Sequence, residues 1–174
     1  STFFVEAPEP QFSGEYSLRL FGRHQVGNAL LALAVGAELG LTREELSAGL
    51  DACAPPAMRL QLWEAHGVRV LDDSYNANAD SMLAALQTLQ DFPSEGRKFA
   101  VLGDMLELGR GEADWHNATV QFAESLGLDG IFLCGARMAR AIRGPSTEFE
   151  SDPSVIAARL RAVLLPGDQV LLKG

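Results

Sequence analysis

The chain has 174 residues, of which 47% are hydrophobic and 21% charged, and its formal net charge is -9. This length suits one sizeable core or two small ones. Its 14 lysines and arginines are scattered without a basic stripe, which argues against nucleic-acid binding, and no apolar run approaches the ~18 residues of a membrane-spanning helix.

Two strands and two helices are predicted in the first part of the chain. The strands are "TFFVEA" and "EYSLRLFG", and "RHQVGNALLALAVGAELG" is a long helix ending at Gly40. Thr42 and Glu45 have the spacing of a capping box at the start of a second helix. The following "APPAMR" breaks the pattern, so we place a domain boundary there, between residues 1–57 and 58–174.

Strands and helices alternate after this break. A hairpin with its turn at His66-Gly67 is followed by a helix that Asn78 caps. The later segments are listed in order: strand "RKFAVLGDM", helix "EADWHNATVQFAESLG", strand "DGIFLCG", short helix "ARMARAIRG", helix "SDPSVIAARLRAVL" capped by Ser151 or Asp152, and strand "GDQVLLKG". This order predicts an α/β fold with a Rossmann-like, doubly wound parallel sheet.

Polar residues follow several of these strands where ligands bind in open α/β sheets, outside the carboxyl ends. They are Asp72 and Asp73, then Gly103-Asp104, then Lys173. Ordinary turn chemistry explains one such cluster but less easily all of them. Asp73 has the chemistry to accept hydrogen bonds from a ribose.

Each of four other side chains has two possible roles, one in ligand binding and one in structure alone. Tyr75 either lies flat against a base or sugar or packs over the start of a helix. His24 and Asn28 share one helical face, where an amide can bind a purine edge or serve packing alone. Arg59, beside the break, either grips a phosphate or is solvated.

Catalytic and metal motifs are not recognisable in the sequence. The chain contains no G-x-x-x-x-G-K-[ST], G-x-G-x-x-G or G-x-S-x-G, and its histidines lack metal-ligand spacing. His116 is expected to have a capping or packing role. Cys53 and Cys134 have no C-x-x-C partner and are predicted to be small buried residues of a reduced protein.

Several segments together resemble the Mur ligases. These are "GRHQVGNALLALAVGAELGL", "MRL", "VLDDSYNANADSMLAAL", "VLGDMLELG", the histidine of the next helix and "GDQVLLKG". The resemblance covers nearly all of the chain from Gly22 onward. Within the family, "DDSYNAN" with "GDMLELG" is most similar to the enzymes that add D-alanyl-D-alanine to UDP-N-acetylmuramoyl tripeptide.

This resemblance implies an ATP-dependent, magnesium-requiring ligase of bacterial peptidoglycan synthesis. Such an enzyme forms an amide bond through an acyl phosphate, works in the cytoplasm and is expected to be a monomer. Residues 1–57 would be the end of its central ATP-binding domain and residues 58–174 its C-terminal domain, cut short. The phosphate-binding loop and the magnesium ligands would lie upstream, so we expect a piece of a longer protein that is inactive alone.

The resemblance also implies roles for individual residues. His24, Gln25 and Asn28 would contact the adenine of ATP, Arg59 a phosphate, and Asp73 the ribose. The cleft near the nucleotide and the incoming D-Ala-D-Ala would be lined by Tyr75, Asn76 and Asn78.

Two alternatives stay open. A Mur ligase that adds diaminopimelate or lysine would carry a D-N-P-R-like signature, which the sequence lacks. A nucleotide-fold binding module without catalysis would fit the missing phosphate-binding loop equally well. An upstream G-K-[ST] sequence would favour an enzyme over such a module.

Overall fold

The computed structural model describes residues 1–174, which form two compact units. The first comprises Ser1–Pro56 and the second Ala57–Gly174. None of the helices is long and apolar enough to cross a membrane.

The N-terminal unit is a two-stranded sheet with two helices. Its elements are β1 (Thr2–Val5), β2 (Gly14–Ser17), α1 (Arg23–Glu38) and α2 (Arg43–Ala52). The strands pair antiparallel, and a small core gathers Tyr16, Leu18, Leu33, Leu46 and Leu50.

Local sequence signals account for the helix ends in this unit. Gly40 follows α1 with a left-handed φ of +82°, a conformation that terminates helices. The predicted capping box is confirmed, because the Thr42 hydroxyl accepts from the Glu45 amide while the Glu45 carboxylate accepts from the Thr42 amide. Cys53, predicted to be buried, is instead exposed, since it caps the C-terminus of α2 beyond the buried face.

The C-terminal unit has six strands and three α-helices. They are β3 (Gln61–Ala65), β4 (Val68–Asp73), α3 (Ala79–Asp91), β5 (Lys98–Leu102), α4 (Glu112–Ser125), β6 (Gly130–Leu133), β7 (Thr147–Phe149), α5 (Pro153–Val163) and β8 (Gln169–Lys173). The predicted β3–β4 hairpin is confirmed, and its turn residues His66 and Gly67 both have positive φ.

The strands form one sheet in the order β3-β4-β8-β5-β6-β7. Only β3 runs antiparallel to its neighbour. Helices α3 and α4 contribute to the hydrophobic core on one face, and α5 contributes to that on the other. The predicted doubly wound α/β sheet is therefore confirmed, with β8 inserted between β4 and β5.

Two elements differ from the sequence-based expectation. The predicted helix "ARMARAIRG" is only a 3₁₀ turn, Met138–Arg140, because Ala141 is already extended and a Gly-Pro pair follows. The short strand β7 was not predicted, since three residues between turns show no period. It pairs with β6 at the sheet edge.

Candidate functional site

The carboxyl ends of three adjacent strands meet at one edge of the sheet. In the parallel register, Asp73 of β4 pairs with Lys173 of β8, and Lys173 pairs with Leu102 of β5. The polar residues after these strands therefore lie at the same edge of the sheet. We refer to the residues around Asp73 and Lys173, with the segment Met58–Leu60 that binds to them, as the carboxyl edge.

Lys173 and Asp73 form an ion pair below the surface of this edge. The Lys173 ammonium lies 2.9 Å from Asp73 Oδ2, and the two side chains are 2% and 15% exposed. The ammonium also donates to the carbonyl oxygens of Asp73, at 3.3 Å, and of Asn76. Lysine has three N–H groups, so all three have acceptors in one turn.

The second oxygen of Asp73 holds the segment that carries Arg59. Asp73 Oδ1 accepts a hydrogen bond of 3.0 Å from the Leu60 amide. Met58 and Leu60 both have left-handed φ angles, +60° and +48°, which cost about 1 kcal/mol or more each for non-glycine residues. Burial of the Leu60 side chain, which is 3% exposed, and its bond to a carboxylate offset this strain.

Arg59 stacks on the aromatic ring of Tyr75. The guanidinium carbon lies 4.2 Å from the ring centroid, which is well inside the range of a cation–π contact. The Tyr75 amide also donates to the Met58 carbonyl, at 3.1 Å. Both side chains are exposed, so the structure presents a held cation to solvent, where an anionic group can reach it.

The other polar residues of "DDSYNANADS" build the turn and the helix start. Asp72 Oδ1 accepts from the amide and hydroxyl of Ser74, an Asx turn. Asn78 caps α3 as predicted and shares a capping box with Ser81. The Asn76 side chain accepts from the Ala77 amide and is exposed next to Tyr75 in the chain. Much of this polarity therefore serves local structure.

Asp104, another predicted strand-end carboxylate, supports a neighbouring loop. It accepts from the amides of Arg137 and Met138 at 2.8–3.1 Å, which caps the 3₁₀ turn. A Cβ on Gly135 would lie 2.4 Å from this carboxyl group, so the glycine makes room for it. Asp104 is thus engaged in holding the turn.

His116 is buried and secures the loop after β5. Its Nε2 accepts from the Met105 amide at 3.1 Å, while Nδ1 lies 2.7 Å from the Glu112 carbonyl. This pattern corresponds to a neutral ring with its proton on Nδ1. The expected packing role of His116 is therefore confirmed, and it positions the buried Met105 within "GDMLELG".

Glycines allow the backbones of β5 and β8 to approach where they leave the sheet. A Cβ on Gly103 would lie 3.0 Å from Gly174 Cα, and one on Gly174 would lie 2.9 Å from Gly103 Cα. The Gly103 amide also donates to the Lys173 carbonyl at 2.7 Å. The sequence showed Gly103 at a strand end, but this contact depends on the strand order.

The other predicted nucleotide contacts lie in the N-terminal unit. His24, Gln25 and Asn28 occupy the first two turns of α1. The Asn28 side-chain amide donates to Gln25 Oε1 at 3.0 Å, and both His24 and Asn28 are exposed. These three residues therefore lie together on one helix of the N-terminal unit, whereas Arg59, Asp73 and Tyr75 belong to the C-terminal unit.

The side chains of this chain do not form a ligand set for the magnesium that the resemblance implies. No group of three or more His, Cys, Asp or Glu side chains is placed to hold a metal ion. At the carboxyl edge, the Asp73 carboxylate is already engaged with Lys173 and Leu60.

The sequence of this chain matches a known protein family. The family model described as Mur ligase, glutamate ligase domain, matches residues 58–174, which include the whole carboxyl edge. The chain belongs to the Mur ligase family. Among curated Mur ligases, UDP-N-acetylmuramoyl-tripeptide–D-alanyl-D-alanine ligase of Mycobacterium leprae is 37% identical over 183 residues, which cover 91% of this chain and 35% of that protein. The chain thus spans about a third of the length of that relative.

Solved Mur ligase structures agree with the fold over both units. MurF of Thermotoga maritima, in complex with ADP, matches 92% of this chain and 37% of its own, with a TM-score of 0.81 and 28% identity. MurF of Acinetobacter baumannii matches 95% of this chain and 37% of its own, with a TM-score of 0.84 and 27% identity. The expected Mur ligase resemblance and α/β fold are confirmed.

Proposed function

We propose that this chain is part of a MurF-type ligase. The whole enzyme would join UDP-N-acetylmuramoyl tripeptide to D-alanyl-D-alanine at the expense of ATP, for peptidoglycan synthesis in the bacterial cytoplasm. The observation that carries the proposal is the 37% identity, over 91% of the chain, to a ligase named for this reaction. We assign residues 1–57 to the central domain and residues 58–174 to the C-terminal domain.

The reaction has two chemical steps. The carboxylate of the tripeptide attacks the γ-phosphorus of ATP, which forms an acyl phosphate and releases ADP. The amine of the dipeptide then attacks the acyl carbon, loses a proton and expels inorganic phosphate, leaving an amide bond. Magnesium would neutralise phosphate charge, with ligands from outside this chain.

Arg59 is the residue we propose for contact with an ATP phosphate. Its guanidinium is always charged and offers several donors in one plane, which suits phosphate oxygens. Stacking on Tyr75 restricts its orientation before a ligand arrives, and this lowers the entropy lost on binding. Because the net charge is -9, an anionic ligand needs local positive charge, and Arg59 supplies one such charge.

The remaining site residues are proposed by position in the family pattern. We propose that Asp73 contacts the ribose. Both of its carboxylate oxygens already accept one bond, but each has a further lone pair that can accept another. His24, Gln25 and Asn28 are proposed to contact the adenine. Tyr75, Asn76 and Asn78 are proposed for the D-Ala-D-Ala side of the site, in an enzyme that acts as a monomer.

Phosphate release by the intact protein tests this function. The protein is incubated with ATP, magnesium and UDP-N-acetylmuramoyl tripeptide, with and without D-alanyl-D-alanine. We expect phosphate release that depends on the dipeptide and falls at least tenfold in Arg59→Ala, the loss of about one charge-assisted phosphate contact. Arg161→Ala is the control, because Arg161 is exposed near the end of α5.

The other outcomes separate the alternatives. Release that depends on a different amino acid would replace the proposal with another Mur-type ligase. If no amino acid or dipeptide tested gives phosphate release, the non-catalytic nucleotide-fold module is favoured.

A further inference from the structure

The last residue of β8, Lys173, is a buried lysine. Lys173 is one of two lysines in the chain, and only 2% of its side chain is exposed. Leu171, two residues earlier on the same face of the strand, is fully buried in the core. Replacing a buried ion pair with apolar residues is often neutral or stabilising. Stability alone is therefore a weak explanation for a lysine at this position.

The bonds of Lys173 indicate what it does. All three acceptors of its ammonium belong to residues Asp73–Asn76: a carboxylate oxygen and a carbonyl oxygen of Asp73, and the carbonyl oxygen of Asn76. The turn after β4 thus folds around a cation supplied by a different strand. Loss of the ammonium would leave a carboxylate and two carbonyl groups without their partner.

The same turn supplies the attachments we find for the Arg59 segment. Asp73 Oδ1 accepts from the Leu60 amide, on one side of Arg59, and the Tyr75 amide donates to the Met58 carbonyl on the other side. The ring of Tyr75 then lies under the guanidinium. Since Met58 and Leu60 are held in left-handed conformations, the segment depends on these bonds.

We propose that Lys173 is a positioning residue that sets the place of the Arg59 guanidinium through the turn Asp73–Asn76. Lys173 acts from below the surface and does not touch the nucleotide. The consequence for activity rests on the proposed function, because Arg59 must contact ATP for its placement to matter. The structural part of the inference does not depend on that function.

Amide hydrogen exchange of the chain tests the structural part. In Lys173→Met we expect the Leu60 and Tyr75 amides to exchange roughly tenfold faster or more, with the β6 amides of Ile131 and Leu133 unchanged. Lys98→Met is the matched control, because Lys98 lies at the opposite end of neighbouring β5 and its ammonium donates to the Gln90 carbonyl instead. It should leave the Leu60 and Tyr75 amides as in the wild type.

Two exchange results would overturn the proposal. One is unchanged protection of Leu60 and Tyr75 in Lys173→Met. The other is an equal acceleration in β6, which would show a general loss of stability instead of a positioning role. If Lys173→Met does not fold, Lys173→Gln serves for the same measurement, since its amide can still donate to one or two of the acceptors.

A double-mutant cycle in the intact ligase tests the route through Arg59. If Lys173 acts by placing Arg59, then kcat/KM for ATP in the double variant Arg59→Ala/Lys173→Met should match Arg59→Ala alone within about twofold. Losses that multiply would overturn this route. An intact protein with no ATP-dependent activity would instead refute the proposed function, while the exchange result would still decide the structural part.

Discussion

Arg59 and Tyr75 meet on the surface of the C-terminal unit, with the guanidinium carbon 4.2 Å from the ring centroid. Tyr75 is 61% exposed, so this contact contributes little to the core. A cation–π contact at an exposed site stabilises its geometry by about 0.5–1 kcal/mol. That is enough to bias the orientation of a flexible arginine without burying its charge.

This relationship predicts different effects for two substitutions of Tyr75. In the intact ligase, Tyr75→Ala should raise the KM for ATP by about two- to fivefold, because Arg59 loses its ring and must be ordered by the ligand. Tyr75→Phe keeps the ring and should leave the KM for ATP unchanged. Initial rates over a range of ATP concentrations measure both, and equal effects of the two variants would contradict the explanation.

The close approach of Gly103 and Gly174 predicts a loss of stability in Gly103→Ala. The new Cβ would lie 3.0 Å from a backbone atom, so β5 or β8 must shift, at a cost of about 1–3 kcal/mol. Gly49→Ala is a control of opposite sign, since Gly49 lies in α2 with open space around it and alanine favours helices. Urea unfolding measures both variants. An unchanged midpoint for Gly103→Ala would show that the backbone yields at no cost.

The sequence predicted the local features of this fold well because each has a short-range cause. The capping box at Thr42, the N-cap at Asn78 and the His66-Gly67 turn depend on neighbouring residues alone. The 3₁₀ turn at Met138–Arg140 was predicted as a longer helix, and the sequence did not show that Asp104, from a distant loop, caps it. Local pattern carries no information about such a partner.

The candidate site was predictable only in part, for the same reason. The sequence shows that polar residues follow β4, β5 and β8. It also shows the chemistry of Arg59 and Asp73. The ion pair between Asp73 and Lys173 is not visible, because it depends on β8 lying beside β4 in the sheet. Nor does the sequence show the left-handed backbone on each side of Arg59.

The ion pair at the opposite, amino-terminal edge of the sheet predicts a pH dependence of stability. Asp168 is 2% exposed, and burial alone would raise its pKa. Hydrogen bonds from the Arg97 side chain and from the Leu165 and Arg97 amides together outweigh burial and lower this pKa below its ordinary value. The folded state therefore favours the carboxylate.

The direction of this pH dependence follows from the linkage between proton binding and folding. A lowered folded-state pKa gives stability that is complete above the unfolded pKa, about 3.9, and is lost as the pH falls through the folded value. We expect Asp168→Asn to be less stable than the wild type by roughly 1–3 kcal/mol at pH 7, with the difference shrinking below about pH 4. Urea unfolding between pH 3 and pH 7 measures it. A difference that grows on acidification would contradict the prediction.

The N-terminal unit is predicted to be the less stable of the two. Its sheet has only two strands, and such hairpins are marginal alone. An apolar groove of about 570 Å³ is lined by residues including Leu30, Val35 and Leu39, and Leu39 is 77% exposed. Amides of residues 1–57 should therefore exchange faster than those of β5, β6 and β8. Uniform protection across both units would contradict this.

ATP binding by the chain alone is predicted to be weak or undetectable. The sequence has no G-x-x-x-x-G-K-[ST] loop, the usual cradle for phosphates, and the structure places no cluster of ligands for a metal ion. An exposed Arg59 supplies one cation to a ligand with several phosphate charges, and the chain carries a net charge of -9. Titration calorimetry with ATP and magnesium measures the affinity, with Arg59→Ala as the reference for binding at the carboxyl edge. A micromolar affinity that Arg59→Ala abolishes would mean that this edge forms a nucleotide site by itself, without the upstream phosphate-binding loop that the Mur ligase resemblance implies.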